Sequence, residues 1–161
     1  MDEILEILAK DARLTAEEIA KMTGQDAAAV RKKIKQYEKD GVIVQYKTVI
    51  NQDMAHDNGS FVRALIEVSI NPQRDVGFDN VAERIYSFSE VTSCYLVSGT
   101  YDLLVVVEGE NLQTVSNFIA SKLSPLANVR STTTHFLLKK YKEDGFVLKK
   151  GKPQKRLNIS Y

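Results

Sequence analysis

Apolar positions near the amino end of the chain follow a helical period. Ile4, Leu5, Leu8 and Ala12 share one face of the segment Asp2 to Ala12, with Glu3, Glu6 and Lys10 on the other. A capping box of Thr15 and Glu18 opens a second helix, which carries Ile19 and Met22 inward and stops before Gly24. Asp26 is a strong N-cap for a third helix, ending at Asp40-Gly41, in which Val30, Ile34 and Tyr37 form one stripe. Val42 to Val49 then has the β-branched and aromatic content of a strand. Three short helices followed by a strand predict a winged helix-turn-helix over residues 1–50.

Residues 51–61 have no period and are rich in turn formers, so they read as a linker. Val62 to Ile70 alternates as a strand does and ends at the turn signal Asn71-Pro72. Asp75 to Phe88 predicts a helix with Val81, Ile85 and Phe88 on one stripe, and Val91 to Val97 with Tyr101 to Val107 predicts a hairpin. Asn111 caps a further helix carrying Leu112, Val115, Ile119 and Leu123, and Val129 to Leu138 is a threonine-rich strand. This β-α-β-β-α-β order over residues 62–140 predicts a ferredoxin-like α+β domain. Such a sheet has helices on one face only, and a second copy of the chain is the economical cover for the other; a homodimer at least is expected. Residues 141–161 read as a hairpin turning at Asp144-Gly145, expected to extend the sheet, followed by a basic tail.

Composition narrows the class. With 43% apolar and 27% charged residues among 161, a packed core is expected. The longest aliphatic run, Leu103 to Val107, falls far short of the roughly 20 residues that span a bilayer. The acidic, amphipathic N-terminus is unlike a secretory signal, and the single cysteine, Cys94, excludes an internal disulfide framework and a multi-cysteine metal site. A cytoplasmic protein without membrane partner, metal or cofactor is expected. The net charge of +1 hides segregation: residues 1–50 carry nine basic and nine acidic groups, residues 51–138 five and ten, and residues 139–161 eight and two. No G-x-S-x-G, H-E-x-x-H or C-x-x-C motif occurs, and the stretch Gly145 to Lys152 has the wrong spacing for a phosphate loop.

The polar face of the third helix carries the first candidate site. Ala27 and Ala28 leave its amino-terminal turn slim enough to descend into a major groove, and Arg31, Lys32 and Lys35 follow as cations for phosphates or guanine edges. The same cluster also suits an ordinary solvated surface. Asp26 caps the helix while opposing a nearby phosphate.

In this order the segments Thr15-Ala16-Glu17-Glu18-Ile19-Ala20, Val30-Arg31-Lys32-Lys33-Ile34-Lys35, Asp40-Gly41-Val42-Ile43, Val97-Ser98-Gly99-Thr100-Tyr101-Asp102 and Thr132-Thr133-Thr134 resemble the Lrp/AsnC (feast/famine) family of prokaryotic transcription regulators over nearly the whole chain. The resemblance implies an amino-terminal domain for double-stranded DNA, an effector and oligomerisation domain, and homodimers assembling to tetramers or octamers. It also implies a small-molecule effector, commonly an amino acid, lined by Ser98, Gly99, Thr100, Tyr101, Asp102, Thr133 and Thr134. A nearby carboxylate such as Asp102 suits an α-ammonium group, although a tight hairpin in which Asp102 bonds its own turn is equally open. The family pattern departs at Gln25 and at Asp26-Ala27, where an apolar residue and a hydroxyl or proline are usual. A catalytic alternative is a tetrapyrrole decarboxylase of the same architecture, for which His135 and Arg130 are the only candidates.

Overall fold

The computed structural model describes residues 2–51, 54–55, 61–71 and 77–148. The chain divides into two compact units, Met1–Ile50 and Asn51–Tyr161. Most of the linker predicted at 51–61, the start of the helix predicted from Asp75 and the tail from 149 onward lie outside the described residues.

The first unit is built from three capped helices. α1 (Glu3–Lys10) starts at Asp2, whose carboxylate accepts the Ile4 amide at 3.0 Å. In α2 (Ala16–Thr23) both halves of the capping box form, and Gly24 closes the helix at φ +67°, a left-handed conformation that favours glycine. α3 (Ala27–Lys39) starts at Asp26, which accepts the Ala29 amide at 3.0 Å. Ile4, Leu8, Ile19, Ala20 and Val30 form the core, with Leu14, Ala27, Ile34 and Ile43 packed at its edge.

Two expectations for this unit are corrected. Met22 does not point inward but is 61% exposed, and the buried pair of α2 is Ile19 and Ala20. No strand forms over Val42 to Val49, because nothing else in the described first unit is extended alongside to complete a ladder. The segment is held instead at its root, where the Val42 and Ile43 amides both donate to the Tyr37 carbonyl, and at Tyr46, whose hydroxyl donates to Glu38 at 2.9 Å. Val44 between them is 89% exposed.

The second unit follows the expected order: β1 (Val62–Ile70), α4 (Asp79–Tyr86), β2 (Val91–Leu96), β3 (Leu103–Gly109), α5 (Leu112–Phe118) and β4 (Val129–Phe136). The sheet order is β2-β3-β1-β4 with every pair antiparallel. Ala64, Ile66 and Val68 of β1 and Val105 and Val107 of β3 meet Val81 and Ile85 of α4 and Val115 and Phe118 of α5, giving one core on one face of the sheet.

The helix after Asn111 differs from its expected stripe. Leu112 is exposed, while Phe118 is buried beside Val115 and Leu123. The last turn, Ile119–Leu123, is a π-helix, and its wider turn changes which residues face the sheet. β3 begins at Leu103 rather than Tyr101; just before it, Asp102 Oδ2 accepts the Ile70 amide of β1 at 2.7 Å.

The tail hairpin forms, but as its own two-stranded ladder of β5 (Lys142–Glu143) and β6 (Phe146–Val147), not as an extension of the sheet. Asp144 and Gly145, at φ +46° and +86°, supply the two left-handed residues of its tight turn. Arg63 of β1 ties it down, donating to Glu143 at 2.7 Å while also pairing with Glu108 of β3; Lys140 adds a contact to Glu143 at 3.0 Å. Burial works against the Arg63 charge but is outweighed by Glu143 and Glu108, which raise its pKa, and Arg63 in turn holds the Glu143 carboxyl below its ordinary value.

Ile66→Ala should lower the stability of this unit by about 2–5 kcal/mol, read as a shifted urea midpoint with the slope unchanged. The hairpin anchor should be pH-dependent in a definite sense. Since the folded Glu143 pKa lies below its unfolded value, the anchor is complete above the ordinary glutamate pKa of about 4.3 and is lost as pH falls through the depressed value. The protection factor of the Leu148 amide, bonded to the Tyr141 carbonyl at 3.0 Å, should therefore hold from neutral pH down to that range and drop below it. Arg63→Met should lower it already at neutral pH.

Candidate functional site

α3 turns about 100° per residue, so the inward position of Val30 fixes where every other side chain points. Lys32, Lys35 and Ala28 lie on the side away from Val30, and all three are exposed. Ala27 does not join them; it is half-buried and packs at the edge of the helical core. Arg31 stands on one flank, where it pairs with Glu17 of α2, both side chains being about half exposed. Lys33 stands on the other flank, where its Nζ meets Asp2 at 2.6 Å. That bond is the main reason the Asp2 carboxyl sits below its ordinary value and the Lys33 ammonium above its own. Lys32 and Lys35 have no carboxylate partner among the described residues, which leaves two uncompensated cations on the outward row beside one tethered arginine.

Glu17 is a member of this surface that the sequence reading did not single out. Its partner lies fourteen positions away, so no local period announces the contact. Glu18, by contrast, is committed to the cap: hydrogen bonds from the Thr15 amide and hydroxyl lower its pKa.

In the second unit the loop 97–102 joins β2 to β3 at the end of the sheet where β1 finishes and β4 begins. Ser98, Gly99 and Thr100 are exposed, and Tyr101 and Asp102 half-buried. Gly99 is not in a left-handed conformation, and no atom lies within 4 Å of where a Cβ would sit. The loop is fastened at its base: the Val97 amide donates to the Asp102 carbonyl at 2.9 Å and the Asp102 amide to the Val68 carbonyl at 3.1 Å. The Asp102 carboxylate thus bonds the central strand rather than its own turn, through one oxygen, and the other oxygen has no hydrogen-bond partner among the described residues.

The structure separates the two threonines. Thr134 lies opposite the buried Ile66 and shares its helix-covered face, whereas Thr133 lies opposite Glu67 on the bare face. β4 is also one strand removed from β3, about 9–10 Å away across β1. Only one of the two hydroxyls can therefore look the same way as any given ligand. On the bare face His135 lies beside Thr133, its Nε2 3.1 Å from Glu67 Oε1. Arg130 and His135 occupy opposite ends of β4. No cluster of three or more histidine, cysteine, aspartate or glutamate residues suited to a metal is found among the described residues. Cys94 is half-buried, and that burial raises its pKa.

Comparison with known proteins matches both units. Residues 63–147 fit the family model of the Lrp/AsnC ligand binding domain, and residues 3–44 that of a winged helix-turn-helix DNA-binding domain. The chain is 49% identical over 158 residues to the uncharacterised HTH-type transcriptional regulator YugG of Bacillus subtilis, covering 98% of this chain and 95% of that one. It is 33% identical over 136 residues to the HTH-type transcriptional regulator LysM of Sulfurisphaera tokodaii, covering 84% and 91%. Among solved structures, the transcriptional regulator NMB0573 of Neisseria meningitidis in complex with L-methionine is similar with a TM-score of 0.69 at 25% identity, covering 89% of this chain and 93% of that one. The feast or famine regulatory protein Rv3291c of M. tuberculosis, also complexed with L-methionine, gives 0.70 at 25% identity, covering 91% and 95%.

Proposed function

Because this chain belongs to the Lrp/AsnC family of DNA-binding transcriptional regulators, a family that is not enzymatic, we propose that α3 reads double-stranded DNA and that an amino acid bound at the loop 97–102 governs the response. The decarboxylase alternative, resting on His135 and Arg130, is set aside on family membership. We assign residues 1–50 to DNA binding, 51–61 to the linker, 62–140 to effector binding and oligomerisation, and 141–161 to a carboxy-terminal hairpin and basic tail. A cytoplasmic location, typical of the family, belongs to the same proposal. No helix among the described residues is long and apolar enough to cross a membrane.

One observation carries the DNA reading: the outward row of α3 presents Lys32 and Lys35 without carboxylate partners among the described residues, next to Arg31 and behind the small Ala28. This is the layout that lets a helix descend into a major groove and hold the flanking phosphates. A two-fold assembly through the helix-free sheet face, where the half-buried Leu65 and Leu104 lie, would present paired α3 helices to half-sites one helical turn or a multiple apart. For the effector, the free oxygen of Asp102 offers an acceptor for an α-ammonium group, and the exposed loop from Ser98 to Thr100 leaves room for the approach. The methionine bound by the two relatives makes an amino acid the natural class.

Replacing Lys32 and Lys35 together by alanine should weaken binding to any duplex and reduce the slope of log affinity against log salt by about 1.8, measured by fluorescence anisotropy across a salt series. An unchanged slope would remove α3 from the interface. For the effector loop, Asp102→Asn retains an oxygen for the Ile70 amide and removes the charge. It should leave the thermal transition close to that of the unsubstituted chain while abolishing the change in assembly or DNA affinity produced by whichever of the twenty amino acids is active. A variant that still responds would sink this assignment.

A further inference from the structure

The first turn of α2 holds two neighbouring glutamates with different duties. Glu18 closes the capping box through bonds of 2.8 and 2.9 Å to Thr15. Glu17 has no capping duty and reaches across to α3, where its Oε1 accepts from Arg31 Nη2. At 53% and 54% side-chain exposure the pair lies at the surface, where an ion pair adds little to folding. Its effect must be sought in what it does to the arginine. A guanidinium is a planar fork with five donors, and one edge can be held while the other stays available. Here the Nε and Nη1 donors make no hydrogen bond among the described residues. Lys32 and Lys35, the neighbouring cations of the outward row, carry no such tether.

We infer that Glu17 is a specificity-determining residue that acts through Arg31: it presets the guanidinium at the α2 edge of α3 and cancels the pull that a free arginine would exert on any phosphate. The inference rests on the proposed duplex-facing role of α3. Two effects follow from the one contact. The preset fork meets a guanine edge, or another bidentate acceptor, without first having to be ordered, and non-specific attraction is lowered by one charge. Removing the carboxylate frees the arginine to settle on whichever phosphate is near. Binding to arbitrary DNA then rises while discrimination falls.

The test is a double-mutant cycle of Glu17→Gln and Arg31→Met on the full chain. Affinity is measured across a salt series for two duplexes of equal length, a genomic fragment recovered with the unsubstituted chain and a random-sequence control. Glu17→Gln should tighten the random duplex and steepen its salt slope, while the ratio of specific to random affinity falls by about threefold or more. In the Arg31→Met background the same substitution should leave that ratio unchanged. An equal effect in both backgrounds would mean that Glu17 acts as a bulk charge and not through the arginine, and would overturn the inference, as would an undiminished ratio in Glu17→Gln alone. A DNA-free readout accompanies it: the Arg31 Nε–Hε NMR resonance should move or broaden in Glu17→Gln, and an unaltered resonance also overturns it. Failure of the underlying reading looks different, because Lys32→Ala and Lys35→Ala would then leave the salt slope intact; in that case the inference falls with it.

Discussion

Val30 is the only fully buried side chain of α3, and the outer geometry of the amino-terminal unit depends on how it is gripped. Ile4, Leu8, Ile19 and Ala20 close around it, and so small a unit can bury little else. The rest of the circumference of α3 stays near the surface, where charge decides its character. The two flanks are neutralised by carboxylates from the neighbouring helices, Glu17 on one side and Asp2 on the other. Asp2 serves twice, capping α1 through the Ile4 amide and holding Lys33, at a helix end where negative charge is already favoured. What remains outward is a narrow row of lysines. A substitution that let α3 roll about Val30 would exchange this row for a flank already occupied by acid.

The second unit obeys a different constraint, a sheet with all its helices on one face. β1 is the strand on which everything converges. Its covered side supplies Ala64, Ile66 and Val68 to the core, and its end supplies the Val68 carbonyl and Ile70 amide that fasten the loop before β3. The loop is therefore open at its tip and rigidly rooted. Asp102 thus joins this loop to the central strand through its backbone and its side chain together.

The parts that were legible in the sequence are those governed by local chemistry. Thr15 with Glu18, Asp26 and Asn111 all cap the helices they were expected to cap, because a cap needs only its own first turn. The βαββαβ order was legible for the same reason, each element announcing itself by period. Rotation about a helix axis was less so: Met22 and Leu112 fit an apolar stripe by spacing, but the partner surfaces chose Ala20 and Phe118 instead. Residues 42–49 have strand composition without a ladder partner, and composition cannot supply one. The separation of Thr133 from Thr134 follows from strand alternation, which sends neighbours in a threonine run to opposite faces. The contact of Glu17 with Arg31 could not be read at all, since it exists only once two helices are packed.

Arg63 is the second residue of β1, only two positions past the predicted linker, yet it grips Glu143 of the carboxy-terminal hairpin, eighty positions further on. The entrance and exit of the effector unit are thus buckled together by one guanidinium. A partner that seizes the exposed rings of Tyr141 or Phe146 therefore pulls on the first residues of β1 through the same strap.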